Sequence, residues 1–235
     1  MFSYICSMLY SFEQVFSYTP TRITFYAVVL CFVGCNELIG VTSLCRFLGV
    51  GESAYHAFLY FFRSTGWALS SLTAQWWFFV LSQDVIVKEH GRATLLGDHT
   101  YVPKDGRKMP GVVTLHQESE TQSRPSYFRG HCWGAIGALT GTKDEPFCTP
   151  LELGIHQGSA HIGEDSDNKE TLGVKIVRMA LNFALKHNLP STLILDAFFS
   201  RRSGFQSGVF RMVNQLKRAA AEADYQGKKE LCCIF

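Results

Sequence analysis

Two aspartates that stand in or beside apolar runs could hold divalent cations. Asp98 directly follows the apolar run Arg92–Gly97, and Asp196 lies within the run Ser191–Phe198. Carboxylate oxygens are hard ligands suited to Mg2+ or Mn2+. Two such ions held about 4 Å apart activate an attacking oxygen and stabilise the leaving oxygen in phosphodiester cleavage. This chemistry requires a fold that brings the two distant aspartates together.

Each aspartate also has a structural explanation that needs no ligand. An aspartate at the end of a strand commonly caps the strand or starts a turn, and this applies to Asp98. Asp196 fits that explanation less well, because burying a charge in an apolar run is costly without a metal or a basic neighbour. His99, beside Asp98, is either part of the site or a hydrogen-bonded sheet residue. A serine or cysteine nucleophile has no support, because the sequence contains no GxSxG elbow.

The hydrophobic pattern after residue 88 predicts the order strand, two strands, helix, strand. Lys169–His187 has helical periodicity, and Ser191–Phe198 has the composition of a strand buried on both faces. The segment 101–111 is basic and rich in turn residues. In a ribonuclease-H-like sheet the first strand and the strand after the first helix are parallel neighbours, so Asp98 and Asp196 would share one site. The other predicted strands are Arg92–Gly97, Tyr127–Leu139 and Pro150–Ile155.

The first 88 residues are predicted to be helical, with Thr21 as the N-cap of the first recognisable helix. The thirteen apolar residues of Ile23–Cys35 fall short of the ~20 that span a bilayer. The chain start also lacks the basic region of a signal peptide. A buried helix in a soluble bundle is therefore favoured, with a membrane-associated protein as the alternative. The predicted helices are Ile23–Cys35, Glu37–Leu48, Glu52–Arg63 and Trp67–Ser82.

Charge and cysteine usage narrow the class of protein only slightly. The net charge of +2 identifies no partner, although basic residues outnumber acidic ones after Arg201. Local basic patches of this kind are what a DNA-facing protein uses for phosphate contact. The eight cysteines include no CxxC pair, so a zinc knuckle is not favoured. Mostly buried, free thiols in a reducing cytoplasm are expected rather than disulfides.

Four stretches of the chain resemble DDE-superfamily transposases of bacterial and archaeal insertion sequences. Leu95–Gly134, LLGDHTYVPKDGRKMPGVVTLHQESETQSRPSYFRGHCWG, is similar to the region around the first catalytic aspartate of that group. ILDAFF, which contains Asp196, is similar to its second aspartate motif. SYTPTRITFYAVV and FFRSTGWALSSL are similar to its helical N-terminal region. The resemblance covers about residues 10–199, and the long motif is the most specific part of it.

The resemblance implies DNA cleavage and strand transfer at the ends of a mobile element. Two ions, Mg2+ or Mn2+, are then held by two aspartates and one glutamate, and Asp98 and Asp196 match the two aspartates. The implied partners are the terminal DNA repeats and either a second copy or a full-length transposase, without a membrane, in the nucleoid-containing cytoplasm of a bacterium or archaeon. An ordinary solvated turn is the alternative for the basic residues expected to contact phosphate. These residues are Lys104, Arg107, Lys108 and Arg129.

The predicted fold class is α/β, with an all-helical N-terminal region preceding a partial ribonuclease-H-like mixed sheet. Residues 1–88 are predicted to form the helical region and residues 89–199 the partial catalytic domain. Residues 200–235 form a divergent tail.

The resemblance ends after Phe199, before the glutamate that such transposases require. The acids of the tail are Glu222, Asp224 and Glu230, and none has a setting that matches a third catalytic acid. A frameshift could explain this, because codons exist for AAAEADYQGKKELCC that read PLLRLIIRAKKNCV one base later. We therefore expect an inactive transposase-like protein whose sheet has one uncovered apolar face. The alternative is a non-catalytic fragment that binds DNA or dimerises and inhibits full-length transposase.

Overall fold

The computed structural model divides the chain into two compact units, Met1–Asp84 and Val85–Phe235. We call them the helical unit and the sheet unit. The boundary lies close to the predicted one at residue 88. The structure describes residues 2–36, 40–106, 109–116, 127–142, 144–156, 172–196 and 231–234, the last segment by its backbone alone.

The helical unit contains five α-helices and one short 3-10 turn among its described residues. The predicted helix Glu52–Arg63 is confirmed at both ends. Thr21 was wrongly predicted as an N-cap, because the second helix begins at Thr19 and its N-cap is Tyr18. Pro20 suits the first turn of that helix, where its fixed φ is favourable and its missing N–H is not needed. The helices are α1 (Phe2–Ser11), α2 (Thr19–Gly34), α3 (Val41–Leu48), α4 (Glu52–Arg63) and α5 (Leu69–Ser82), and the 3-10 turn is Glu13–Val15.

Aromatic and aliphatic side chains fill the core of the helical unit. Leu44 of α3 and Cys31 of α2 are almost completely buried. Phe61 of α4 stacks on Trp67 with ring centroids 5.1 Å apart, and the Trp67 indole N–H donates a hydrogen bond to the Phe61 carbonyl. Burial of such side chains contributes about 1.5–3 kcal/mol each. Trp67 is therefore a packing residue of this core.

Among the described residues, no helix is both long and apolar enough to cross a membrane. The helix that contains the apolar run, α2, has 16 residues. The six described cysteines are free, but only Cys31 and Cys132 are buried. Cys6 and Cys148 are exposed, so the expectation that most of the thiols are buried was wrong.

The sheet unit is a mixed α/β structure with a seven-stranded sheet, which confirms the predicted fold class at this level. Strand β4 lies between β2 and β5 and is antiparallel to both. Strand β6 is parallel to β2 on its other side, and β7 is parallel to β6. The short strands β1 and β3 pair with β2 and β4. The strands are β1 (Lys88–Glu89), β2 (Arg92–Pro103), β3 (Val113–His116), β4 (Tyr127–Gly141), β5 (Pro146–Ile155), β6 (Ser191–Leu195) and β7 (Leu231–Ile234).

Helix α6 (Leu172–Lys186) covers one face of this sheet. Its residues Ile176 and Val177 are completely buried. A Cβ atom built on Gly97 of β2 would lie 2.6 Å from Ile176 Cγ2 and 2.6 Å from Leu195 Cδ2. Gly97 therefore allows α6 to approach the sheet closely where β2 and β6 pair.

Several sheet elements differ from the sequence prediction. Strand β2 runs to Pro103, so Asp98 lies inside the strand rather than at its end. The residues Tyr101–Pro103, predicted as part of a turn, pair with β4. Strands β1 and β3 were not predicted, because they are short and are defined by their pairing with β2 and β4 rather than by a local sequence pattern. The tail contributes β7 in the present reading frame, so a shifted frame is not needed to supply an edge strand.

Candidate metal centre and nucleic-acid interface

Asp98 and Asp196 lie at neighbouring positions of two adjacent parallel strands. Gly97 of β2 is the Cα partner of Leu195 of β6, and the two aspartates are the next residues along each chain. Parallel strands are about 4.8 Å apart, so the backbones of the two aspartates lie close together at this edge of the pairing. Residues far apart in sequence are thus brought together as the predicted strand order requires.

Both aspartates are exposed and lie on the face of the sheet opposite α6. Side chains alternate between the two faces of a strand, and Gly97 and Leu195 face Ile176 of α6. We call the opposite face the Asp98 face. The backbone N–H of His99 donates a 2.7 Å hydrogen bond to Oδ1 of Asp98, which holds one carboxylate oxygen against the strand.

The third ligand is missing from the described part of the chain. No group of three or more histidine, cysteine, aspartate or glutamate side chains is arranged to hold a metal ion among the described residues. Glu222, Asp224 and Glu230 lie outside the described residues. Two carboxylates with an incomplete ligand set are suited to hydrated Mg2+ or Mn2+, which retain several water ligands.

The side chain of His99 lies on the α6 side of the sheet, away from the Asp98 carboxylate. Its Nε2 forms a 2.9 Å hydrogen bond with Nδ1 of His156, which follows β5. The His156 backbone N–H donates to the Cys132 carbonyl of β4. Burial, and secondarily the charge of Lys175, lowers the pKa of His156 to about 4. His156 is therefore neutral near pH 7, and its hydrogen bond with His99 ties β5 to β2, which corresponds to the structural alternative for His99.

Two of the four predicted phosphate-binding residues are brought together on the Asp98 face. The Lys104 N–H donates a 3.0 Å hydrogen bond to the Arg129 carbonyl, continuing the pairing of β2 with β4. Strand alternation places both side chains on the Asp98 face, where Arg129 is exposed. Lys104 lies six positions after Asp98, which corresponds to about 20 Å along the strand. The other two residues, Arg107 and Lys108, lie outside the described residues.

His131, which lies between Arg129 and Trp133 in β4, is not available for phosphate contact. It is buried, and its Nε2 lies 2.9 Å from the Pro110 carbonyl oxygen. Its ring contacts Trp133 edge-on. The turn that contains Pro110 thus covers this part of the Asp98 face, and His131 has a packing role.

Apolar side chains are exposed on the Asp98 face beside the aspartates. Ile194 of β6 is 42% exposed, and Leu153 and Ile155 of β5 are 60% and 40% exposed. Cross-strand pairing places Leu153 beside Ala135, the partner of Asp98. Exposed aliphatic residues of this kind are unusual on a sheet in a domain whose two faces are both covered.

An aromatic pair that the sequence did not predict lies on the same face. His116 of β3 and Tyr127 of β4 are Cα partners, with ring centroids 4.8 Å apart. Both side chains are exposed. The strand β3 that brings His116 to Tyr127 was not predicted, and the alternation of VTLH was the one signal that could have indicated it.

No protein-family model, no curated protein and no solved structure matches this chain.

Proposed function

We propose that this chain is a DDE-type transposase-like protein that binds DNA and holds a divalent cation between Asp98 and Asp196, and that these two carboxylates, joined by no third one among the described residues, do not support efficient strand transfer. The observation that carries the proposal is the parallel pairing of Gly97 with Leu195, because the two aspartates are the next residues along these adjacent strands. In the transposases that the chain resembles, the implied reaction is hydrolysis and transesterification of DNA phosphodiesters. A bound cation would supply electrostatic stabilisation of the charge that develops on phosphate oxygens.

The sheet topology supports a partial ribonuclease-H-like fold. The strands are ordered β5, β4, β2, β6, β7. Strand β4 is antiparallel to both β5 and β2, whereas β6 and β7 are parallel to β2. Helix α6 forms the crossover from β5 to β6. This is the arrangement that the sequence interpretation requires for two acids from β2 and β6 to meet.

A low catalytic activity follows from the chemistry of the site. A third carboxylate would fix the cation and help to neutralise it; among the described residues none joins the two aspartates in a metal-holding group, so water would fill the rest of the ligand shell. We therefore expect cation binding without measurable strand transfer. The contribution of the chain is then to bind the DNA backbone through Lys104 and Arg129, which lie on the same face as Asp98 and about 20 Å along the strand from it.

Cation binding can be tested with Mn2+, whose free form is measured by electron paramagnetic resonance. Asp98→Asn and Asp196→Asn keep the side-chain size and remove one charge each, so we expect each to abolish the tightest Mn2+ binding. Asp144→Asn is the matched control, because Asp144 is an exposed aspartate of the same unit. Equal Mn2+ affinity in all four proteins would refute the proposed cation site.

Catalysis is tested separately with supercoiled plasmid and either Mg2+ or Mn2+. We expect no nicking above the level of the Asp98→Asn variant. Metal-dependent nicking that disappears in both aspartate variants would show that two carboxylates suffice, and it would overturn the proposed loss of activity.

A second candidate function is non-catalytic DNA binding that inhibits a full-length transposase. The proximity of Lys104 and Arg129 favours it, because two adjacent cations suit phosphate contact. Replacing both by Ala should lower duplex affinity and reduce the slope of log K against log salt by about 1.8. Arg178→Ala is the control, because Arg178 is exposed on α6. An unchanged salt slope in the double variant would exclude this contact.

A further inference from the structure

We infer that the β3–β4 hairpin carries a stacking site for an unpaired nucleobase, so that the Asp98 face binds a single-stranded DNA segment rather than a fully paired duplex. The inference rests on the proposed function for the identity of the ligand, and it adds the substrate class. The site consists of Tyr127, His116, Arg129 and Lys104.

The first step is the exposure of the aromatic pair. Tyr127 is 66% exposed although it lies in a regular strand, and its cross-strand partner His116 is also exposed. The ring centroids are 4.8 Å apart, and the interplanar angle is 61°. An edge-on partner restricts the rotamers of Tyr127 while leaving ring surface accessible. A ring held in this way loses little entropy when a base stacks on it.

The second step is the position of the cations. Arg129 is two residues from Tyr127 in β4, so the two side chains share a face about 7 Å apart. Lys104 lies opposite Arg129 through the backbone hydrogen bond. An aromatic ring beside two cations is the combination with which proteins bind single strands, because the ring stacks on a base and the cations contact the adjoining phosphates. Isolated exposed aromatics are common on protein surfaces, and these neighbours distinguish Tyr127.

The third step is the difference between an unpaired strand and a duplex at Tyr127. Tyr127 and Arg129 lie at one end of the Asp98 face, the turn that contains Pro110 covers this face at His131, and Ala135, the Cα partner of Asp98, lies beyond that turn. The distance from Tyr127 to Ala135 is about 27 Å along the strand. A paired duplex hides its bases inside the stack, so its base faces cannot reach Tyr127, whereas an unpaired strand exposes them. Tyr127 and its cationic neighbours, on their own side of the Pro110 turn, are therefore suited to a short single-stranded segment.

The inference is tested by fluorescence anisotropy with three labelled DNAs: a 12-nucleotide single strand, a blunt 12-base-pair duplex, and that duplex with a single-stranded tail. We expect the single strand and the tailed duplex to bind more tightly than the blunt duplex. Tyr127→Ala should weaken binding of the first two at least fivefold and leave the blunt duplex unchanged. Tyr127→Phe keeps the ring and should restore the affinity.

A second measurement separates the loss of base stacking from other causes of weaker DNA binding. 2-Aminopurine placed in the tail loses fluorescence when it stacks on an aromatic ring, so quenching should persist in Tyr127→Phe and disappear in Tyr127→Ala. Tyr60→Ala is the control, because Tyr60 is 72% exposed in the helical unit. Thermal melting should be equal in all variants, since the removed ring is mostly in solvent.

Two results would overturn the inference: blunt and tailed duplexes of equal affinity, or a Tyr127→Ala variant that loses affinity equally for both. The Mn2+ titration is independent of these measurements. Failure of cation binding with preserved tail binding would refute the proposed function alone, and the reverse outcome would refute only the stacking site.

Discussion

Adding a methyl group at Gly97 should destabilise the sheet unit at the point that supports both aspartates. A Cβ at this position would lie 2.6 Å from side-chain carbons of both Ile176 and Leu195. Contacts this short force α6 or the strand β6 to move, because packed interiors have little free volume. We expect Gly97→Ala to cost about 1–3 kcal/mol. In a unit of this size that lowers the melting temperature by about 2–4 °C for each kcal/mol.

A double-mutant cycle identifies the cause of the loss. Ile176→Ala alone should cost about 2–5 kcal/mol, because it removes buried methyl groups and leaves a cavity. In the double variant the new methyl group of residue 97 enters that cavity. The two changes should therefore be less destabilising together than their sum by at least about 1 kcal/mol, measured by urea unfolding.

The control is Gly154→Ala in β5. This glycine has open space except for the flexible end of Met179, 3.3 Å from the position of the new Cβ. We expect a neutral effect or a small stabilisation, because alanine reduces the entropy of the unfolded chain. The close approach of α6 at Gly97 is refuted if Gly97→Ala is as well tolerated as Gly154→Ala, or if the cycle is additive.

Three further changes test the packing and the electrostatics of the two units. Because the pKa of His156 is lowered to about 4, this residue contributes stability that is complete above about pH 6.5 and is lost as the pH falls towards 4. The contribution to the free energy of unfolding is at most about 3 kcal/mol. Urea unfolding between pH 4 and 7 should therefore show a shallower pH dependence of stability in His156→Asn than in wild type. Phe183→Ala should cost about 3–5 kcal/mol by chemical denaturation, because this ring of α6 is 1% exposed; a loss below 1 kcal/mol would contradict that packing. Gly49→Ala should cost about 1 kcal/mol in thermal melts, since Gly49 ends α3 with φ of 64°, and Gly49→Asn should cost less.

The sequence predicted the features that depend on local pattern. The helix Glu52–Arg63 has its start after Gly51 and its apolar residues at helical spacing, and both ends were correct. The apolar run that forms β6 and the periodic residues of α6 were also found at nearly the observed positions. The succession of these elements was enough to predict that Asp98 and Asp196 approach each other.

The remaining features depend on pairing between distant segments. Strand β2 continues through Asp98 to Pro103 because β4 supplies hydrogen-bonding partners along that length. Tyr127 lies beside His116 because β3 pairs with β4, and Lys104 lies beside Arg129 because the pairing of β2 with β4 continues to that position. Local composition carries no information about which backbone will lie alongside, so turn residues at 101–103 were read as a loop.

The amino-acid sequence determined which segments become helices and strands and which two carboxylates could meet, because hydrophobic periodicity and strand order are local properties of the chain. Only the tertiary structure decided which face of the sheet each side chain occupies. It placed His99 with His156 beneath α6 and Asp98 on the opposite face, although the two residues are adjacent. Their separation follows from the alternation of side chains in a strand together with the face that α6 covers, and the second of these is set by packing at Gly97.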